Sequence, residues 1–315
     1  MITESYTRKE LTIVSVVMIT YKHEAFIAEA IEGVLMQELD FRLELIIADD
    51  CSPDCTEEIV QKYIDENTNF HCIKYTRHEK NIGMIPNFIW AISQCKGNYI
   101  ALCEGDDFWT DKFKLQKQIN YLENNTFSAG CFHHASLVDE KNQIMKTIYN
   151  EFVGGQSQYD QYRALTWLGS AYATSSLVFR QEVVLNLPIY AQKQLCDEVL
   201  DILITSCGTL DFINENMSVY RIHQGGVWSG VSENKRNIDF INRSLVLIED
   251  PILRSKFFNF LANRISTLAQ LISLNKTNKK KVRYNNFILA LKYINYNRIG
   301  TYKYIFRYFL NPIFK

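Results

Sequence analysis

Three carboxylates crowd one short stretch of this 315-residue chain: Glu104, Asp106 and Asp107 lie within four residues around Gly105. Unpaired carboxylates that close repel one another. A hard divalent cation resolves the conflict, because Mg2+ and Mn2+ take oxygen ligands, with substrate phosphates and water completing the shell. Gly105 lets the backbone turn sharply and approach a ligand closely. If the chain stays extended there, Asp106 and Asp107 point to opposite sides, so that one holds the metal and the other a sugar hydroxyl or a metal-bound water. The plain alternative is an acidic turn that caps a helix starting near Asp111, and for an isolated EGDD that alternative is the stronger.

The elements around the cluster change its meaning. Residues 99–103 form a short apolar run with a β-branched residue and an aromatic, the pattern of a buried strand ending at Glu104. Before it, strand signals at 12–20, 43–48 and 70–75 alternate with helical spacing over 24–37, from about Thr56, and from the Asn81–Pro86 loop to Cys95. That alternation predicts an α/β fold with a mainly parallel central sheet flanked by helices. Ligands of such sheets bind at the carboxyl ends of the strands. There lie Thr20 and Tyr21, Asp50, and Glu104 to Asp107, with Asn81 leading into the next helix. Singly, Tyr21 reads as a loop aromatic, Asp50 as a turn former and Asn81 as a capping residue. Together they make a nucleotide pocket, in which Tyr21 stacks, Asp50 accepts from a base N–H and the acidic cluster carries a metal bound to a diphosphate. Neither GxGxxG nor GxxxxGK[ST] occurs, so metal must do most of the phosphate binding.

Four blocks carry a family resemblance. VSVVMITYKHEAFIAEAIEGVLMQ, LELIIADDCSPDCTEEI, NIGMIPNFIWAISQCKGNYIALCEGDDFW and NENMSVYRIHQGGVWSG, spread over residues 12–230, resemble the inverting glycosyltransferases of family 2. The resemblance implies the GT-A fold and transfer of a sugar from a nucleotide diphosphate sugar, most commonly a UDP sugar. It also implies Mn2+ or Mg2+, and a saccharide or lipid-linked acceptor in bacterial surface polysaccharide synthesis. Carried over by motif, Thr20, Tyr21, Glu24, Asp50 and Asn81 line the donor site with Glu104 and Asp106. Asp106 and Asp107 resemble the DXD-type pair, with Asp107 as metal ligand. Glu104 stands where the family usually has Asp.

The second half is expected to build the acceptor side. A strand is predicted between Gly130 and Val138, a turn at EKNQ, another strand over 170–179, and a helix carrying Leu195, Val199, Leu200, Leu203 and Ile204 on one face. Asp197 opens that helix, where the dipole favours an ionised carboxylate. By resemblance it is the catalytic base, with Glu198 as the fallback. His223, beside Gly225 and Gly226, is expected to complete the metal shell or bond a phosphate, and Trp228 to form a sugar platform or a loop anchor. The implied mechanism is a single displacement. Metal stabilises the departing diphosphate while Asp197 takes the proton of the attacking hydroxyl.

Composition sets the outer bounds. With 47% hydrophobic and 22% charged residues the chain is globular rather than disordered. The formal net charge of -1 hides an asymmetry: 13 of the 34 Lys and Arg follow Asp250, and no Asp or Glu does. From about residue 231 onward the pattern is helical and basic, which suits an anionic membrane surface or an oligomer contact. No nucleic-acid motif accompanies the charge, so nucleic acid is not an expected partner. The domains expected are a transferase at 1–230 and a helical region at 231–315. The eight cysteines form no CxxC pair, so reduced thiols are expected. The first apolar run is too short to span a bilayer, and the expected location is the cytoplasm, at the inner face of the plasma membrane if the basic region binds there. Two other functions compete: a non-catalytic nucleotide-sugar-binding scaffold, which would lose the acidic pair or the base, and a sugar-1-phosphate nucleotidyltransferase, whose glycine-rich phosphate loop is missing here.

Overall fold

Alternation along the first strand divides the core into two layers. In β1 (Ile13–Thr20), Val14, Val16 and Met18 face one layer, while Val17 and Ile19 face the other. Helices α1 (Ile27–Leu35), α2 (Thr56–Glu66) and α4 (Lys114–Asn124) cover the first layer with Ile27, Ile31, Val34, Val60, Leu115 and Ile119. Helix α3 (Met84–Ser93) packs on β1 and on β2 (Arg42–Asp49), with Met84 and Phe88 beside Val17 and Ile19. The computed structural model describes residues 13–66, 72–149, 158–161, 172–226, 231–275, 278 and 280–293.

The sheet runs β3–β2–β1–β4–β9–β6–β10–β5, with β3 at Ile73–Arg77, β4 at Tyr99–Leu102 and β5 at Phe108–Trp109. Strands β6 (Ser128–Val138), β9 (Val178–Arg180) and β10 (Thr209–Arg221) complete that path. Two more strands lie off it: β7 (Ile144–Tyr149) pairs with β6, and β8 (Gln158–Tyr159) with β10. The first four strands are parallel, as expected. Beyond β4 the sheet is mixed, since β9 runs antiparallel to both β4 and β6 while β6 and β10 run parallel.

The strand expected over 170–179 is mostly not one. Among its described residues, Tyr172 forms an isolated bridge, Thr174–Ser176 a 3-10 turn, and strand pairing begins only at Val178–Arg180. The Ser176 hydroxyl donates to Ala173 O at 2.7 Å, and the Ser176 N–H bonds the same carbonyl at 2.9 Å. Hydroxyl side chains that bond nearby backbone in this way favour turns over ladders. The β6–β7 hairpin turns at EKNQ, where Asp139 Oδ1 accepts from Lys141 N and Gln143 N, both at 2.9 Å. Helices α5 (Ile189–Lys193) and α6 (Asp197–Cys207) follow β9.

By its internal contacts the chain divides into two compact units, residues 1–226 and 227–315. The second is helical: α7 (Glu233–Glu249), α8 (Pro251–Leu274) and α9 (Lys280–Tyr293). Asp250 separates the first two and caps α8, its Oδ1 accepting from Ile252 N and Leu253 N at 2.9 Å, with Pro251 preorganised at the first helical position. No helix among the described residues is long and apolar enough to cross a membrane. Trp228 and the aromatic, basic segment 301–315 lie outside the described residues.

Candidate active site

The acidic turn is held at the carboxyl end of β1. Past Leu102 the chain keeps pairing with that strand, Cys103 N to Val17 O at 3.1 Å and Gly105 N to Ile19 O at 3.0 Å. A Cβ on Gly105 would stand 2.8 Å from Thr20 Oγ1, 2.9 Å from His23 Nδ1 and 2.9 Å from Ile27 Cδ1. Only glycine allows so close an approach, and it brings Asp106 against two imidazoles. His223 Nε2 lies 3.0 Å and His23 Nε2 3.7 Å from the same Asp106 Oδ2. Among the described residues, His23, Asp106 and His223 are the group of potential ligands whose atoms converge, all within 4.8 Å of one another. Burial by itself would raise the Asp106 carboxyl, but His23 and His223 outweigh it and hold it below the usual carboxylate range. Burial pulls the His23 imidazole down, with Asp106 opposing.

Asp107 turns the other way. It is 1% exposed, and its Oδ1 accepts from Arg221 N at 3.0 Å. Burial, then the neighbouring Asp106 charge, pushes its carboxyl well above the ordinary range. The expected pairing of Asp107 with His223 is therefore not the one the structure brings together; the carboxylate beside His223 is Asp106. The reason lies in the backbone. The chain curls at Gly105 instead of staying extended, and β5 pairs antiparallel with β10 through Phe108–Val219 and Trp109–Ser218, which fixes Asp107 toward Arg221. Arg221 clamps the turn: its Nε donates to Asp106 O at 3.0 Å, and its two terminal nitrogens reach Asn142 Oδ1 at 2.5 Å and Glu29 at 2.6 Å. Its guanidinium also stacks on Phe26 and Phe108.

The donor-site candidates fall into two tied groups. Asp50 Oδ1 accepts from Ile82 N at 2.6 Å and its Oδ2 from Gly83 N at 2.9 Å, while Asn81 Nδ2 donates to Asp50 O at 3.1 Å. Asp50 and Asn81 thus weld the loop after β3 to the end of β2, and each carboxylate oxygen keeps a second lone pair for a ligand donor. Glu24 Oε2 accepts from Cys55 N at 2.9 Å, and Glu24 N donates to Asp54 Oδ2 at 3.1 Å. Lys22 N to Ser52 Oγ at 3.0 Å and Asp50 N to Thr20 O at 3.0 Å stitch these loops together. Thr20 is buried at the end of β1, whereas Tyr21 is 38% exposed, with the Lys22 ammonium 5.2 Å from its ring centroid.

Asp197 lies across from the acidic turn. It is the first residue of α6 and shares a recess with Glu104, walled by Val17, Met84, Phe88 and Thr174. Burial, reinforced by Asp107, Asp106 and Asp197, drives the Glu104 carboxyl well above its ordinary range. A neutral Glu104 can donate a hydrogen bond as well as accept one. Glu198 is 3% exposed and faces the interior. Sequence reasoning missed His23 and Arg221. Both lie inside blocks that carried the resemblance, YKHE and YRIH, so type and position were in view, but nothing in the spacing joins residues 23, 106 and 221.

The sequence model described as Glycosyl transferase family 2 matches residues 15–187. An uncharacterized protein of Mycobacterium tuberculosis, Rv1520, is 29% identical over 232 residues, 70% of this chain and 62% of its own, so the chain spans about three fifths of that curated relative. The putative teichuronic acid biosynthesis glycosyltransferase TuaG of Bacillus subtilis is 33% identical over 137 residues, 44% of this chain and 52% of its own. Among solved structures, S. aureus TarS 1-349 in complex with UDP-GlcNAc superposes with a TM-score of 0.59 at 17% identity, covering 90% of this chain and 82% of that one, a likeness of fold. With the fold and more than half of the sequence in agreement, the chain belongs to glycosyltransferase family 2 and has a GT-A-like fold.

Proposed function

We propose that the protein is a metal-dependent inverting glycosyltransferase that moves a hexosyl group from a nucleotide diphosphate sugar, UDP-linked in the first instance, to a hydroxyl of a saccharide or lipid-linked acceptor in surface polysaccharide synthesis. The observation that carries it is that Asp106 meets His223 while Glu104, on the same acidic turn, shares a recess with Asp197. TuaG, named for teichuronic acid biosynthesis, supports the acceptor class, and TarS, crystallised with UDP-GlcNAc, supports the donor class. The residues fit a divalent cation, because the ligand atoms already converge and the carboxylate among them is held ionised. Asp106 and His223 would hold it; when bound, it supplies Lewis-acid stabilisation of the diphosphate leaving group.

The protein's own groups divide the remaining work. Asp50 and Asn81, with Thr20, Glu24 and an exposed Tyr21 face, bind and orient the nucleotide. Glu104 bonds a hydroxyl of the transferred sugar. Asp197 removes the acceptor O–H proton as that oxygen forms its bond to the anomeric carbon. The bond from that carbon to the diphosphate oxygen breaks, the electron pair leaves with the nucleoside diphosphate, and the anomeric centre inverts. The basic region 231–315 holds the enzyme near its acceptor at the cytoplasmic membrane face.

A calorimetric panel of nucleotide diphosphate sugars with Mn2+, Mg2+ or chelator tests this reading. One donor should bind in a metal-dependent way to wild type and fail to bind Asp106→Ala. Asp197→Asn should keep donor affinity within about threefold while losing about a hundredfold or more in transfer rate. Equal loss of binding and transfer in Asp197→Asn would overturn the base assignment. Metal-dependent donor binding without transfer by wild type to any acceptor would favour the scaffold reading.

A further inference from the structure

We propose that His23 is a third protein ligand of the divalent cation, so that two imidazoles and one carboxylate hold it and the site selects Mn2+ over Mg2+. This rests on the reading of Asp106 and His223 as a metal centre. The His23 and His223 Nε2 atoms approach one oxygen, Asp106 Oδ2, at 3.7 and 3.0 Å. Their rings meet edge to face, with centroids 5.9 Å apart and planes at 82°, and the ligand atoms of the three residues lie within 4.8 Å of one another. Metal–ligand bonds of about 2.1 Å put neighbouring ligand atoms on a six-coordinate cation about 3 Å apart. The His223–Asp106 separation already has that length, and a small tilt of the His23 ring closes the other.

The backbone at His23 is fixed for the purpose. Its N–H donates to Thr56 Oγ1 at 3.1 Å, and its carbonyl accepts from Phe26 N at 2.9 Å and Ile27 N at 2.8 Å, tying the residue to the entry of α1. Two buried polar atoms beside it have no partner among the described residues, His23 Nδ1 and Thr20 Oγ1. Both crowd the same glycine, at 2.9 and 2.8 Å from the position of a Gly105 Cβ. A histidine that ligates through Nε2 carries its proton on Nδ1 and donates it to an outer acceptor, which also orients the ring. Thr20 Oγ1, crowding the same glycine, would serve as that acceptor once the ring tilts, which would relieve both orphaned atoms.

The donor set decides the selectivity. Mg2+ dehydrates reluctantly and favours oxygen, whereas imidazole suits the first-row transition metals. One histidine beside a carboxylate is a weak preference; two make a stronger one. If His23 acts only as a positive neighbour that keeps Asp106 ionised, it would help Mg2+ and Mn2+ alike.

Two measurements on the full chain separate these outcomes. Electron spin-echo modulation of the Mn2+-loaded protein should show two directly bound imidazole nitrogens in wild type and one in His23→Asn. Calorimetry without nucleotide should show Mn2+ binding weakened about 10- to 100-fold in His23→Asn, with Mg2+ binding changed less than about threefold. A single bound nitrogen in wild type, or an unchanged Mn2+ to Mg2+ preference in the variant, would overturn the inference; the wild-type spectrum answers even if the variant folds poorly. Asp106→Asn tells the two levels apart. If it abolishes Mn2+ binding while His23→Asn is silent, the metal centre stands and the His23 inference falls. If Asp106→Asn also leaves Mn2+ binding intact, the centre itself is wrong.

Discussion

At the scale of single residues, adjacent carboxylates meet opposite fates. Asp106 faces two imidazoles and stays ionised, while Asp107, one position on, is buried on a backbone N–H and favours its neutral form. Environment, not residue type, sets one against two imidazoles and makes the other a structural acceptor. Lys114 shows the same principle in the core. It is fully buried, donates to Gln118 Oε1 at 2.8 Å, and sits 3.9 Å from the centroid of the Trp109 ring. Burial lowers its ammonium to about 7. In the unfolded chain it titrates near 10.4. Between those values the unfolded state binds the extra proton, so this residue makes the protein more stable as pH rises from about 7 to about 10. Lys114→Met removes a buried charge and should raise Tm at pH 6 by about 2–4 °C, the equivalent of about 1 kcal/mol in a domain of this size. The gain should vanish by about pH 10. Thermal unfolding of both proteins across that range checks it, and a constant difference would rule out the charge as its source.

At the scale of elements, the end of β10 governs the acidic turn. Arg221 contributes its backbone N–H to Asp107 and its side chain to Asp106 O, Asn142 and Glu29, so one residue fixes β5, the turn and α1 together. Its side chain is 1% exposed, and loss of one partner of a buried charge pair costs about 3–5 kcal/mol. Glu29 is 41% exposed, so the lower end applies. Arg221→Met is expected to lower Tm by about 6–12 °C. It should also weaken metal binding, since Asp106 loses the brace on its carbonyl. Arg221→Lys should not restore either property, because a lysine cannot supply three divergent donors or stack between Phe26 and Phe108. Thermal unfolding and metal calorimetry on the two variants check this; full rescue by lysine would show that charge alone matters.

At the scale of the whole molecule, charge is segregated along the chain. All 13 Lys and Arg after Asp250 stand without an acidic residue. Burial discounts that number, because Arg264 and Arg283 are 6% and 4% exposed, and Arg283 Nε is engaged by Ser273 O at 2.8 Å. On α8, Arg254 and Lys256 stay accessible beside exposed Ile252 and Phe258, a basic and apolar combination that suits an anionic interface. The full chain should therefore sediment with vesicles containing phosphatidylglycerol at low salt and release them in about 0.5 M salt, where the Debye length falls to a few ångströms. Replacing Arg254 and Lys256 with Gln should weaken sedimentation several-fold without loss of donor binding. Equal binding to neutral vesicles would refute the electrostatic part.

Local pattern alone determined much of this protein. Short apolar, β-rich runs marked β1, β2 and β4, and apolar residues at helical spacing marked helices α1 to α3. The same reading put Thr20, Asp50, Asn81 and the acidic cluster at the carboxyl ends of neighbouring strands. What it lacked were facts that depend on long-range contact. The two-residue β5 and the 13-residue β10 exist through pairing between segments about a hundred residues apart. The turn at Thr174–Ser176 came from hydroxyls that prefer nearby backbone to a ladder. A turn at Gly105 was legible, but which of Asp106 and Asp107 faces His223 followed from the pairing of β5 with β10. His23 lies beside Asp106 and His223 for the same reason: residues 23, 106 and 223 meet through the sheet order, which only the folded chain sets.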